Sequence, residues 1–446
     1  MRFRYTLAFA LLPWLAGCDS ILDTKPTDQL PQDRAITSAE GARAALTGAY
    51  SALQDFDIGI RYYGGDFSLL GDLSSDNADN TGTSTSFADA DANQLRAANA
   101  TVGGIWAAIY RAINRSNNII EKVPALTDLD DTEKNEILGE AYFLRALDYH
   151  NLVKFWGPVP LRLETVKSVD EAADIVRAPV ADVYAQINSD LAQADQLITS
   201  TSPTTRATSG AVKAIQARVY LYQGDWANAN AKADEVIGLG YTLADAYSDL
   251  FDEEGQETPE DIFKILFTAQ QYENMGYYYH STDDGGTADL TPTQSLIDTY
   301  DPDDERLAWS ILDDGAGTIS GVKFPTVAGA EDFHVIRFAE ILLIKAEALA
   351  RLSDLAGAVD AYNPIRVRAG LPEHVLGNDV TTQDEVLAAI DRERRIELAF
   401  EGDRWPDLVR RGVAVSVMGI PDFQTLYPIP QAEVDVAPGL TQNPGY

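Results

Sequence analysis

Three glutamates recur at four-residue spacing near the C-terminal end of the chain: Glu393, Glu397 and Glu401. They continue the helical face that begins with Val386 and Ile390, so they lie in line with an apolar stripe. Two carboxyl groups one helical turn apart could serve as the acid and the base of a glycosidase. In an apolar face such carboxylates are costly unless arginines pair with them.

Arginines surround these glutamates in the sequence, at Arg366, Arg368, Arg394 and Arg404. A general acid needs a raised pKa, whereas nearby guanidinium groups keep carboxylates ionised. We therefore predict a buried ion-pair network that fixes the docking of the C-terminal helix. Its predicted members are Glu393, Glu397 and Arg404. The glycosidase remains an alternative.

Other catalytic and metal-binding motifs are missing from the sequence. There is no GxSxG, no phosphate loop and no HExxH, and the four histidines lie far apart. Asp89, Asp91 and Asn93 have the opening spacing of a calcium-binding loop, but Gln94 and Ala100 replace its required glycine and glutamate. The sequence therefore predicts no catalytic residue, no metal site and no cofactor.

Aromatic side chains concentrate in two stretches that lack helical periodicity, near residues 55–102 and 242–332. Rings that stack on sugar faces, flanked by acids that accept hydroxyl hydrogen bonds, are what glycan binding requires. Neighbouring residues of an extended chain alternate sides, so three successive tyrosines cannot all face a core. The predicted ligand-binding residues are Tyr62, Tyr63, Asp66, Tyr277, Tyr278, Tyr279 and Trp309. Packing of these rings onto the scaffold is the alternative for each.

The helical elements that must position these residues carry clear signals. Thr382 and Glu385 form a capping box that opens the glutamate-bearing helix. Before it, Ser353 and Asp354 predict the turn of an αα-hairpin, and residues 214–237 align without gaps on residues 343–366. We predict a mainly α fold with a tetratricopeptide-like helical hairpin scaffold. Two long irregular insertions carry a little β structure, including a strand within residues 262–268.

The N-terminus has the pattern of a lipoprotein signal. Arg2 and Arg4 precede a short apolar run, and Cys18, the only cysteine, follows small residues. We predict a signal peptide at 1–17, a lipidated tether at 18–36 and a single helical domain at 37–446, whose first helix opens with a capping box at Thr37. The lipid on Cys18 anchors the protein to a membrane. In some bacteria an aspartate directly after the lipidated cysteine holds a lipoprotein at the inner membrane, so Asp19 leaves that location as an alternative.

Composition limits the partners. Acidic residues number 69 against 34 basic ones, for a formal net charge of -35. Such a surface repels nucleic acid and anionic lipid. Because high salt screens self-repulsion, the charge is typical of a salt-adapted protein. With 45% hydrophobic residues, the chain can still bury a large core.

Several segments carry a resemblance to one family. They include IWAAIYRAINRSNNII at 105–120, GEAYFLRALDYHNLVKFWGPVPL at 139–161, YDPDDER at 300–306 and ERRIELAFEGDRWPDLVR at 393–410. In this order they resemble the SusD/RagB family of outer-membrane nutrient-binding lipoproteins, and the resemblance spans nearly the whole chain after the signal peptide.

That resemblance implies a non-enzymatic protein at the cell surface. It would bind an oligo- or polysaccharide, or another nutrient such as a peptide, and deliver it to a SusC-like TonB-dependent transporter in the outer membrane. Two other classes stay open from the sequence. One is a helical-repeat lipoprotein that binds only protein, and the other is a lipoprotein glycosidase.

Overall fold

Helices dominate the part of the chain that the computed structural model describes, which comprises residues 36–54, 62–166, 175–251, 257–268, 270–315, 317–327 and 329–446. The predicted signal peptide, Cys18 and nearly all of the tether lie outside these residues. No helix in the described ranges is long and apolar enough to cross a bilayer.

Residues 36–251 contain eight of the helices described: α1 Ala39–Gln54, α2 Asp66–Leu73, α3 Thr85–Asp91, α4 Ala100–Lys122, α5 Asp131–Trp156, α6 Val180–Leu197, α7 Ser209–Gln223 and α8 Trp226–Gly238. The C-terminal half contains α9 Met275–Tyr279, α10 Gln294–Ile297, α11 Arg306–Ser310, α12 Phe338–Arg351, α13 Leu355–Arg368, α14 Gln383–Glu397, α15 Arg404–Arg410, α16 Ala414–Met418 and α17 Gln431–Val436. Single 3-10 turns cover Val123–Ala125, Tyr247–Leu250 and Asp422–Thr425.

Helical hairpins build the scaffold, as predicted. Helix α1 packs on α4, α4 on α5, and α5 on α6, while α7 pairs with α8 and α12 pairs with α13. The two segments that align in sequence are the α7–α8 and α12–α13 hairpins. They also contact each other, through α8 and α12. The tetratricopeptide-like, mainly α prediction is therefore confirmed.

Local signals fix where the helices begin and turn. Thr382 and Glu385 form the predicted capping box at the start of α14. Ser353 adopts a positive φ of 68°, which allows the tight turn between α12 and α13. The predicted cap of α1 is shifted by one residue, because the Ser38 hydroxyl receives the N–H of Gly41.

The β structure is small and lies in the insertions. The described strands are β1 Ala78–Asn80, β2 Asp261–Ile265, β3 Leu290–Pro292, β4 Ile311–Asp313, β5 Ile319–Gly321 and β6 Phe333–Arg337. They form three antiparallel pairs, β1–β3, β2–β6 and β4–β5. Strand β2 confirms the strand predicted within residues 262–268. The stretch 55–102 is less irregular than predicted, because α2 and α3 form inside it.

Candidate functional site

The two insertions meet in the β1–β3 ladder. Asp79 lies opposite Thr291 in this antiparallel pair. Just beyond the strands, the N–H groups of Thr81 and Gly82 donate to the carbonyl oxygen of Asp289, at 2.8 and 3.1 Å. Part of each stretch that the sequence assigned to a ligand face therefore meets the other at this ladder.

Two arginines from the C-terminal helices hold this joint against the scaffold. Arg395 donates to the Asn77 side chain and to the Thr299 hydroxyl, both at 3.0 Å. Arg404 binds the carboxylate of Asp76, with 2.7 Å between its Nε and Oδ1. Burial opposes ionisation of Asp76, but the two guanidinium groups outweigh it and lower the pKa of that carboxyl. The joint is thus fixed immediately before β1.

Helix α9 presents the successive tyrosines to different environments. Tyr277 is 38% exposed, Tyr278 is half-buried and Tyr279 is buried. The helix can approach so closely because Gly276 has no side chain: a Cβ there would lie 1.9 Å from the carbonyl oxygen of Thr326. The prediction that at least one of the three tyrosines is exposed is confirmed.

Tyr277, Tyr278 and Phe87 form a cluster that we term the aromatic platform. The Tyr278 ring packs edge-on against Tyr277 at 5.4 Å between centroids and against Phe87 at 5.3 Å. Phe87 is held by helix α3, whose N-terminus is capped by the Ser84 hydroxyl. The N–H of Thr287 donates to the Tyr277 carbonyl oxygen at 2.9 Å, and this hydrogen bond holds the backbone of helix α9. The platform therefore contains residues from both insertions.

Two carboxyl groups lie on helix α3 and on strand β1, which contacts that helix. Asp79 is exposed on β1, and Asp91 is half-buried on α3, one turn beyond Phe87. Partial burial raises the pKa of both, and the charge of Asp79 adds to the rise for Asp91. These acids are hydrogen-bond acceptors that hydroxyl groups can reach.

Tyr279 points inward and anchors α9. Its hydroxyl donates to Asp72 Oδ2 at 3.1 Å, and its ring packs on Phe400 at 4.8 Å. Burial raises the pKa of Asp72 to about 8, although the hydrogen bond from Tyr279 acts in the opposite direction. The prediction that Tyr279 contacts ligand is wrong, because the ring is part of the core.

Tyr62 and Tyr63 are also core residues. Their rings are 0% and 4% exposed, and both hydroxyl groups receive hydrogen bonds from Asn151 at 2.6 Å. The Tyr62 hydroxyl in turn donates to Asp148. Asp66 is buried as well. The prediction of a ligand face at these three residues is wrong, because helix α5 supplies polar partners that let the rings pack inside.

Trp309 lies in a different place from the platform. It is 48% exposed and lines a groove of about 510 Å³ together with Phe251, Asp245, Asp249 and Glu257. The lining of this groove does not include Tyr277 or Tyr278. Ligand contact at Trp309 thus remains a prediction for a second surface.

The glutamates of α14 form the predicted ion-pair network, and both Glu393 and Glu397 are fully buried. Glu393 receives hydrogen bonds from Arg306 at 2.8 Å and Arg366 at 2.6 Å. Glu397 binds three arginines: Arg306 at 3.1 Å, Arg337 at 2.5 Å, and Arg368. Glu401 continues the network by binding Lys323 and Arg337.

The network keeps the Glu397 and Glu401 carboxylates ionised. Burial alone would raise the pKa of Glu397, but Arg368, Arg337 and Arg306 outweigh it and hold the pKa well below its usual range. A carboxylate in this state cannot donate a proton to a leaving group. Burial also separates it from any substrate.

Two expected pairings differ in the structure. Arg404 forms ion pairs as predicted, but with Asp76 and Asp391 rather than with the glutamates. Arg394 pairs with Glu340 and Asp407. The sequence missed Arg306, Arg337 and Lys323, which lie far from α14 in the chain. Arg306 belongs to the segment YDPDDER, the one signal that could have drawn attention to it.

Metal ligands do not cluster in the ranges that the structure covers. No group of three or more His, Cys, Asp and Glu side chains there is arranged to hold an ion. The aromatic platform itself offers ring surface for stacking.

Comparison with known proteins gives two family matches. Residues 22–221 match a family described as "Starch-binding associating with outer membrane", and residues 326–419 match the SusD family.

Similar proteins cover the chain nearly end to end. SusD-like protein P2 of Formosa agariphila is 28% identical over 508 residues, covering 99% of this chain and all of the relative. SusD-like protein P38 of the same organism is 26% identical and covers 97% of this chain and 96% of the relative. A solved structure of a laminarin binding SusD-like protein superposes with a TM-score of 0.79 at 27% identity, covering 92% of this chain and all of that one.

Proposed function

Because this chain belongs to the SusD family, we propose that it is a non-enzymatic glycan-binding protein that holds its ligand at the aromatic platform. One observation carries the proposal: helix α9 leaves the Tyr277 ring 38% exposed where the two insertions meet, and the first insertion carries the carboxyl groups of Asp79 and Asp91 on β1 and α3. Aromatic rings bind the apolar faces of sugars, and acids accept hydrogen bonds from their hydroxyl groups. The laminarin-binding relative and the starch-binding family description support a glycan as the ligand class.

The platform is built before ligand arrives. The Tyr279 hydroxyl anchors helix α9 to Asp72, and the Tyr277 carbonyl accepts a hydrogen bond from the N–H of Thr287. A preformed site loses little conformational entropy on binding. We therefore infer that binding changes the scaffold little and depends on the exposed ring.

Glycan-array screening of the purified mature protein, followed by titration of the best ligand, tests this proposal. Tyr277→Ala should weaken binding in the titration, while Tyr277→Phe, which keeps the ring and loses only the hydroxyl, should retain most of it. Trp309→Ala is the matched control, since it removes an exposed ring from the other groove. If only Trp309→Ala weakens binding, the ligand lies in that groove and the platform is wrong.

The alternative of a glycosidase has little support from the geometry. It relied on Glu393 and Glu397, which are buried and bound to arginines. Release of labelled product from the glycan that binds would revive it. The alternative of a protein-only scaffold would be favoured if no glycan, oligosaccharide or peptide bound the purified protein.

We also propose that the protein is anchored through lipid on Cys18 at the outer membrane and delivers ligand to a TonB-dependent transporter of the SusC type. The family description, which includes association with the outer membrane, supports the location. Affinity purification from native outer membranes with a tag on the C-terminus should recover a large β-barrel transporter. Recovery of the tagged protein alone would leave a stand-alone binding protein.

A further inference from the structure

A second cavity, of about 460 Å³, lies between helix α4, the segment at residues 160–166 and the C-terminal tail. Its lining shares no residue with the aromatic platform. The volume falls in the range of small-molecule sites, roughly 300 to 1,000 Å³. The cavity is therefore large enough for a sugar unit.

One face of α4 forms the wall of this cavity. Trp106, Tyr110, Ile113, Asn114 and Asn117 follow each other at helical spacing and all line it. The rings of Trp106 and Tyr110 pack at 5.0 Å between centroids. Asn114 Oδ1 is buried without a hydrogen-bond partner among the described residues. The wall thus combines ring surface with an acceptor that lacks a donor.

The opposite wall is held rigidly by hydrogen bonds to its backbone. The Tyr110 hydroxyl donates to the Pro160 carbonyl at 2.8 Å. The Arg162 carbonyl accepts from the Tyr149 hydroxyl at 2.7 Å and from the Asn117 side chain at 2.9 Å. The backbone of Arg162, from which its side chain extends, is therefore held in place.

Two guanidinium groups at this cavity have no acid partner among the described residues. Arg162 lies over the Tyr110 ring at 5.9 Å, and Arg115 donates to the Gly48 carbonyl at 2.6 Å. In the described part of the chain, neither has a carboxylate within ion-pair distance, although the chain carries 69 acidic residues. Glu164 and Glu433 line the cavity without pairing with them. Cations left unpaired in so acidic a protein indicate a ligand that brings its own negative charge.

We propose that this cavity binds a carboxylated sugar unit, such as a uronic acid. A guanidinium group matches a carboxylate through two parallel hydrogen bonds, which suits Arg162. The Tyr110 ring offers a surface for the sugar ring. Glu164, Glu433 and the unpartnered Asn114 oxygen accept hydrogen bonds from hydroxyl groups. This site shares no residue with the aromatic platform, so its test is independent of the test of the proposed function.

Sodium D-glucuronate is the probe, with D-glucose and sodium acetate as comparators, and binding to the mature protein is followed by ligand-observed NMR titration. Glucuronate should bind more tightly than either comparator, because only it carries both the charge and the hydroxyl groups. Arg162→Leu should weaken glucuronate binding about tenfold or more, as expected when a charge-assisted hydrogen bond is lost. Glu133→Ala, at an exposed position that does not line this cavity, should leave glucuronate binding unchanged.

The controls separate binding from folding. The melting temperature of Arg162→Leu is measured first, and Arg115→Met provides a second test if the first variant is unstable. Parental affinity in both variants would overturn the proposal, as would equal binding of glucose and glucuronate or no binding of glucuronate. If Tyr277→Ala lost glucuronate binding while Arg162→Leu retained it, the acidic sugar would bind at the aromatic platform instead.

Discussion

Removal of the Glu397 side chain tests the ion-pair network. This carboxylate is fully buried and binds Arg306, Arg337 and Arg368. Glu397→Ala leaves three buried guanidinium groups with one partner fewer. The backbone carbonyl of residue 397 still accepts hydrogen bonds from Lys323 and Arg337, so the substitution removes charge without removing those contacts.

The expected loss of stability depends on which other acids each arginine still contacts. Removing one partner of a buried ion pair costs about 3 to 5 kcal/mol. Here the arginines keep other acids within reach: Asp304 and Glu393 for Arg306, Glu260 and Glu401 for Arg337, and Glu260 for Arg368. The remaining pairing offsets part of the loss. We expect the free energy of unfolding to fall by about 3 kcal/mol, the lower end of that range.

Chemical denaturation followed by tryptophan fluorescence measures this change. Glu133→Ala is the matched control, because Glu133 pairs with Arg43 at an exposed position. Exposed ion pairs contribute little, so the midpoint of this variant should hardly move. If Glu397→Ala also leaves the midpoint unchanged, the buried network is not what holds α14, and the possibility of a catalytic role for the glutamates reopens.

Three further outcomes are expected. Burial raises the pKa of Asp72 to about 8. Between about pH 4 and 8 the folded state therefore holds a proton on Asp72 that the unfolded state has lost. The free energy of unfolding should fall as the pH rises through this window. In Asp72→Asn the melting temperature should no longer decline over this pH range. If the variant showed the same decline as the parent, the prediction for Asp72 would be contradicted. Tyr62→Ala should lower unfolding stability by about 3 to 5 kcal/mol by urea titration, as for a truncated core aromatic, whereas a surface tyrosine would leave it intact. Cys18→Ala should move the protein from membrane to soluble fractions, and unchanged fractionation would rule out the lipid anchor.

Sequence reasoning succeeded where the signal is local. The capping box at Thr382 and the turn at Ser353 depend on residues within one helical turn, and both appear in the structure. The alignment of residues 214–237 with 343–366 identified two hairpins because repeated packing leaves repeated small residues. The glutamates of α14 were assigned to a buried network because charge in an apolar stripe demands a partner.

Reasoning failed where the outcome depends on distant residues. Tyr62 has loop-like neighbours in sequence, but Asn151 and Asp148 on α5 satisfy its hydroxyl and make burial possible. The joint between the insertions was also invisible, since Thr81 donates to a carbonyl 207 residues away. Three strand residues on each side are too few to predict such a ladder. Four arginine partners were named from proximity in sequence. Arg366 and Arg368 do bind the glutamates of α14, but Arg394 and Arg404 bind other acids, because proximity in sequence does not determine proximity in the fold.

The central claim is that an exposed tyrosine at the joint of the two insertions binds glycan. The most direct measurement is the affinity of Tyr277→Ala for the glycan selected by the array, compared with the parent, Tyr277→Phe and Trp309→Ala. A stacking ring contributes about 0.5 to 1.5 kcal/mol beyond the area it buries, so the alanine variant should bind several-fold more weakly, with an unchanged melting temperature. Parental affinity in the folded Tyr277→Ala protein would contradict the account.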